Sequence, residues 1–247
     1  MKVTTLLLLW LISVPPVIAD SLLVATAANF KPTLQKLLQD FDSTGSQSIR
    51  VSSASTGTLY AQAIHGAPFD ILLAADTTRP QRLEAEGHAV AGSRVTYAIG
   101  QLVLVYQPAL SALAESGLEE ILSRPGLSLA IANPELAPYG QAAAQVLARR
   151  NLQAPQRSLL HASNVLQAYQ MWFSGGADTA LVARSLVSEN YLVVPTQWYT
   201  PLEQQAVLMQ IGASKPLALE LMHYLQSERA QTIIAQHGYL IEGPAGG

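Results

Sequence analysis

The chain has 247 residues, no cysteine, 49% hydrophobic and 13% charged residues, and a formal charge of −3. That length supports one large domain or two ordinary ones, and charge this sparse excludes a disordered tail protein. No basic surplus exists to neutralise phosphates, so nucleic acid is not an expected partner. The missing cysteine removes disulfides, zinc–thiolate and iron–sulfur centres, and cysteine nucleophiles.

Lys2, the apolar run 6–14 and the small residue Ala19 have the layout of a secretory signal peptide over residues 1–19. The run is too short to span a bilayer and ends at Pro15-Pro16. Attachment through a lipid would need a cysteine. The expected product is a soluble, exported, periplasmic protein. Loss of Lys2 makes it one charge more negative.

Residues 21–27 are apolar without alternation, which predicts a strand buried on both faces. Asn29 follows as a possible N-cap, and Leu34, Leu37, Leu38 and Phe41 fall on one face of a helix over 31–41. A short strand is expected at 49–51, then the run Ser52-Ser53-Ala54-Ser55-Thr56-Gly57, then a helix over 58–65. A strand at 69–75 precedes a helix over 80–86, which Asp76 caps. The long β-prone stretch 97–106 contains Gly100. Alternation then restarts with a strand at 127–132, a helix over 141–150, a short segment at 160–164, a helix over 165–173 and a strand at 179–183. A second β-prone stretch covers 201–211, and helices are expected over 216–226 and 229–237. Strand–helix alternation of this kind predicts parallel sheets covered by helices. Two such groups joined by two long strands predict two lobes with a cleft. The crossings are expected near 100–104 and 203–206.

The catalytic signatures are missing: the chain has no Gly-x-Ser-x-Gly elbow, no Ser-x-x-Lys, no His-Glu-x-x-His, no Walker loop and no Gly-x-Gly-x-x-Gly. Its five histidines, His65, His88, His161, His223 and His237, never fall at metal-ligand spacing. Four strand-to-helix turns do stand out: Ala27-Ala28-Asn29, Ser55-Thr56-Gly57, Ala137-Pro138-Tyr139-Gly140 and Ser163-Asn164-Val165. Each lies where backbone N–H groups lack intrahelical acceptors and the helix dipole is positive, a ready place for an anion. None contains Arg, Lys, Asp or Glu. Donors without charge suit a fully deprotonated dianion. A carboxylate would usually meet an Arg, and a protonated phosphate would need an acceptor.

At these turns, and at Gly66-Ala67-Pro68-Phe69-Asp70, Ala74-Ala75-Asp76, 92–100 and 133–140, the chain resembles the molybdate-binding proteins of ABC importers. The resemblance covers nearly all of the chain after residue 19. It implies an α/β, two-lobed type II periplasmic-binding-protein fold. Each lobe is a mostly parallel sheet flanked by helices, with two crossing strands as hinge. Lobe I would comprise 20–101 plus 205–247, and lobe II 102–204. It implies a receptor, not an enzyme, that binds molybdate and tungstate, works without a cofactor as a monomer, and delivers its ion to a membrane permease. The family's donors fall on Ala28, Tyr139 and Val165 through backbone N–H, with side-chain donors from Asn29 and Thr56. Thr56 stands where many relatives have Ser, Ala28 where they have Ser or Thr, and Ala183 where some use a Tyr hydroxyl. The residues leave two other readings open. One is a receptor for sulfate, phosphonate or a carboxylate, with Arg94 or Arg184 in the cleft. The other is an exported hydrolase with Ser55 or Ser163 as nucleophile and His161 as base.

Overall fold

The structure, a computed structural model, describes residues 21–42, 44–149 and 158–241. The signal peptide expected over 1–19, and Arg150 at the end of one expected helix, lie outside these residues.

The continuous apolar strand expected near the start is β1 (Leu22–Ala27). Its side chains feed two cores at once. Leu22 and Val24 join a cluster with Phe30, Leu34 and Leu221, while Ala25 joins another with Leu59 and Leu83. Parallel pairing ties β1 to β2 (Ile49–Ala54) and β3 (Ile71–Leu73). The sheet is completed by β4 (Val95–Gly100) and the late strand β10 (Leu202–Leu208), in the order β2-β1-β3-β10-β4, with β10 antiparallel to both neighbours.

The second sheet repeats this plan. It contains β5 (Leu102–Tyr106), β6 (Leu129–Ala132), β7 (Leu159–Ala162), β8 (Thr179–Ala183) and β9 (Tyr191–Val193), in the order β7-β6-β8-β5-β9. β6 pairs in parallel with β7 and β8, and β5 is antiparallel to β8 and β9. In each lobe the antiparallel strand is the one that arrives from the other lobe.

The β-prone stretch 97–106 is therefore two strands in two sheets, parted at Gln101. The return is earlier than the expected 203–206, because Leu202, Glu203 and Gln204 already pair with β4. Pro201, which has no N–H to give a ladder, marks the entry to the strand. β9 and the small helices α4 (Ser111–Ala114) and α5 (Leu118–Ser123) have no counterpart in the sequence expectations. Helices flank both sheets. α1 (Lys31–Phe41), α8 (Pro216–Leu225) and α9 (Glu228–Gln236) cover one core of the first lobe. α2 (Thr56–Ile64) and α3 (Thr78–Ala85) cover the other. In the second lobe α6 (Pro138–Arg149) and α7 (Val165–Phe173) pack on a single core, which extends across the cleft to Ala27 and Ala75. No helix among the described residues is long and apolar enough to cross a membrane.

Candidate functional site

Four helices, α1, α2, α6 and α7, begin just past the carboxyl ends of the strands that precede them in the chain. Their starts face one another between the lobes. They enclose a cavity of about 10 Å³, roughly the room of one water molecule. Its wall is Ala27, Ala28, Asn29, Ser55, Thr56, Ala75, Ala137, Pro138, Tyr139, Asn164 and Val165. All five residues singled out by the family resemblance are thus brought together, and no residue of this wall carries a charge. Four alanines allow main chain from both lobes to come close. Gly140 serves the same end, since a Cβ there would lie 2.3 Å from the Ala132 carbonyl oxygen where α6 starts against β6.

The hydrogen-bond accounting separates the candidate donors. Among the described residues no acceptor meets the backbone N–H of Asn29, Thr56, Tyr139 or Val165. All four residues are buried, so these donors face the cleft instead of open water. Ala28 differs from expectation. Its N–H continues the β1–β2 ladder and donates to Ala54 O at 2.9 Å, so Ala28 contributes a small side chain to the wall and no free main-chain donor. Asn29 also differs. Its side chain neither caps α1 nor points an amide proton at the cavity. Nδ2 donates to Gln204 Oε1 at 2.9 Å and to Tyr239 OH at 3.0 Å. The Thr56 hydroxyl accepts from Ala75 N at 3.0 Å, which leaves its own proton free to donate.

Local sequence explains these starts. Ser55 accepts from Thr58 N, so α2 begins at Thr56, two residues before the expected start, and Thr56 becomes its first orphan donor. Asn164 accepts from Gln167 N at 3.0 Å and leaves Val165 as the orphan of α7. Asn133 accepts from Glu135 N through Oδ1 and from Ala137 N through its carbonyl, shaping the loop before α6. Asp76 accepts from Arg79 N at 3.0 Å, the capping role expected of it, and ion-pairs with the same Arg79.

The lobes touch through main chain as well as through the cavity. Gly57 N donates to Leu136 O at 2.8 Å, and Arg79 Nη2 to Glu135 O at 3.2 Å. Behind the wall lies a polar network that sequence reading missed. Gln204 and Tyr97 meet at 3.1 Å, Gln204 Nε2 donates to Tyr139 OH at 3.2 Å, and Tyr239 OH donates to Asn29 O at 3.0 Å. Burial pushes the phenols of Tyr97, Tyr139 and Tyr239 well above their usual range, so they remain protonated donors. A signal for this network was present. Leu202, Gln204, Ala206 and Leu208 alternate along one strand face, and a glutamine in such an apolar row needs buried partners.

The groups that would have favoured other ligands or a reaction are engaged with partners other than the cleft. Arg94 pairs with Glu84 and reaches Gln205 at 3.2 Å. Arg184 donates to Val187 O and stacks 4.5 Å from the Tyr191 ring centre. Ser163 Oγ donates to Gln167 Oε1 at 2.6 Å rather than to His161, and Ser55 Oγ is engaged by Thr58.

Two α/β lobes of matching topology, joined by two crossings and closing on an uncharged pocket of helix starts, define a two-lobed solute receptor of the periplasmic-binding type. The chain matches the family described as bacterial extracellular solute-binding protein over residues 22–240, and belongs to that family. It is 37% identical over 225 residues to the molybdate-binding protein ModA of Azotobacter vinelandii, covering 87% of this chain and 88% of that one. It is 32% identical over 237 residues to ModA of Rhodobacter capsulatus, covering 92% and 91%. Among solved structures, the Azotobacter vinelandii periplasmic molybdate-binding protein superposes with a TM-score of 0.84 at 35% identity, over 90% of this chain and 100% of that one.

Proposed function

We propose that this chain is an extracytoplasmic receptor for molybdate, and for tungstate, which it delivers as a monomer to an ABC permease. Residues 1–19 would be its cleaved export signal. The observation that carries the reading is the convergence of four buried, unpartnered N–H groups from both lobes on a pocket without charge. Relatives named as molybdate-binding proteins support the choice of ion. The donors would be the main-chain N–H of Asn29, Thr56, Tyr139 and Val165 and the Thr56 hydroxyl, with Ala28 as wall. Such a set offers protons only, so it matches an ion with none of its own. The ion would be bound and released unchanged.

Selectivity follows from rigidity. Sulfate has the same charge and shape as molybdate but shorter bonds, and donors fixed on helix starts cannot contract around it. Each poorly made charged hydrogen bond forgoes about 1.5–3 kcal/mol, so a few mismatches give orders of magnitude. With room for about one water molecule, the pocket seats a tetrahedral oxyanion when the lobes stand slightly further apart than here. Rotation of the lobe built on β1–β4 and β10 against the lobe built on β5–β9, about the two crossings, would admit and enclose it.

Calorimetric titration with molybdate, tungstate, sulfate and phosphate tests the reading. Tight binding of the first two and weak binding of the others is expected, and comparable affinity for sulfate overturns it. At 100 times Kd, molybdate should also raise stability by about 2.7 kcal/mol.

A further inference from the structure

Behind the pocket, one side chain ties together donor-bearing residues of both lobes. Gln204, in β10, is 0% exposed. Its Oε1 accepts from Asn29 Nδ2 at 2.9 Å and from Tyr97 OH at 3.1 Å, while its Nε2 donates to Tyr139 OH at 3.2 Å. Asn29 belongs to the turn between β1 and α1, and Tyr139 to the first turn of α6 in the other lobe. Each carries one of the four unpartnered main-chain donors. No other side chain among the described residues bonds to the side chains of both.

The surrounding backbone is shaped to let this happen. Gly100 stands opposite Leu202 in the β4–β10 pair, and a Cβ there would lie 2.2 Å from Tyr139 OH and 2.7 Å from Gln204 Nε2. The ladder register between β10 and β4 shifts between Gln204 and Gln205. A missing side chain and an irregular register therefore meet at the point where β4 leaves for the second lobe. A buried amide is costly unless bonded, so the bond to Tyr139 binds Gln204's own satisfaction to the approach of the lobes.

We propose that Gln204 is a positioning residue that fixes the spacing between the donors of the two lobes, and through it the size of oxyanion the cleft accepts. The proposal rests on the oxyanion-receptor reading above. Gln204 does not touch the ion. It acts through Asn29 on one side and Tyr139 on the other, setting the separation at which the N–H groups of the two lobes stand when the lobes close on an ion.

The test is titration of molybdate and of sulfate into the wild type, Tyr139→Phe, Gln204→Leu and the double variant. Tyr139→Phe keeps the ring and the main-chain N–H and removes only the hydroxyl. Each single change should weaken molybdate binding about tenfold. Each should also narrow the molybdate-to-sulfate ratio, because a loosened ring can follow the smaller ion. The double variant should lose no more than the worse single, since both changes delete the same bond. Single variants with wild-type affinity and ratio overturn the proposal. So does an equal loss for both ions, the mark of a merely structural role. If Gln204→Leu does not fold, Gln204→Glu, which keeps length and acceptors but loses the donor, replaces it under the same criteria. A wild type that binds no molybdate overturns the receptor reading itself, whatever the variants do.

Discussion

Each lobe clamps the start of its central strand with an aspartate, and the two clamps differ in kind. In the first lobe Asp70 Oδ2 accepts from Leu23 N at 2.7 Å, and the carboxylate meets Lys215 Nζ at 2.9–3.0 Å. The contact at Oδ1 is purely ionic, without hydrogen-bond geometry. In the second lobe Asp178 Oδ2 accepts from Ser128 N at 2.8 Å and Ser128 Oγ at 2.6 Å, with no cation among the described residues. The position in the topology is the same, directly before the middle strand of each sheet. The first lobe thus fastens β1 to α8, elements far apart in the chain, through a buried charge. The second fastens the starts of β6 and β8, 50 residues apart, through neutral donors. The same contrast holds at the pocket, where Asn29 is braced by Gln204 and Tyr239, and Val165 by the local cap Asn164 alone.

Replacing Asp70 should have the largest effect. Asp70→Ala leaves an ammonium facing a buried gap and should lower unfolding free energy by about 3 kcal/mol, since Lys215 retains some access to water. Asp178→Ala removes the bonds from Ser128 and should cost about 1.5 kcal/mol. Equal losses in urea unfolding would erase the distinction. Thr56→Val takes away one donor and orphans the Ala75 N–H, and should weaken molybdate binding roughly thirtyfold by calorimetry. Asn164→Ala should cost about 1 kcal/mol of stability, a cap's worth, and a much larger loss would mean that the second lobe is braced in ways the cap does not account for. The smallest effect is in acid. Bonds from Ser128 hold the Asp178 carboxyl below the usual range. Its contribution is therefore complete above the unfolded value near 3.9 and is lost as pH falls through the lower folded value. Asp178→Asn should flatten that part of the acid-unfolding profile, and an unchanged profile would remove the clamp's charge from the account.

Much of this architecture was legible from residue pattern. Uninterrupted apolar runs such as 21–27 marked strands with cores on both faces, and small polar residues before helices marked the pocket. What escaped depended on neighbours the pattern cannot name. The stretch 97–106 stays β-prone through Gln101, so nothing local announced that its halves serve different sheets. α4 and α5 are too short to show a helical period. Ala28 and Asn29 sit in the expected turn, yet which N–H is free depends on how far the β1–β2 ladder runs, a property of register. Gln204 carried a signal in its alternating apolar row, but its partners lie 65, 107 and 175 residues away in sequence.

The bond between Asn29 and Tyr239 spans 210 residues. A chain that grows from its amino end presents the first turn of the pocket long before the phenol that braces it. Until that residue arrives, Asn29 lacks one of its two side-chain partners, and the antiparallel bridge of Ile99 with Leu240 cannot form either. The first lobe is then finished by its own tail, after the second lobe already has all its strands. The turn that carries Asn29 is therefore braced by residues from the far side of the fold, and its geometry answers to changes made there.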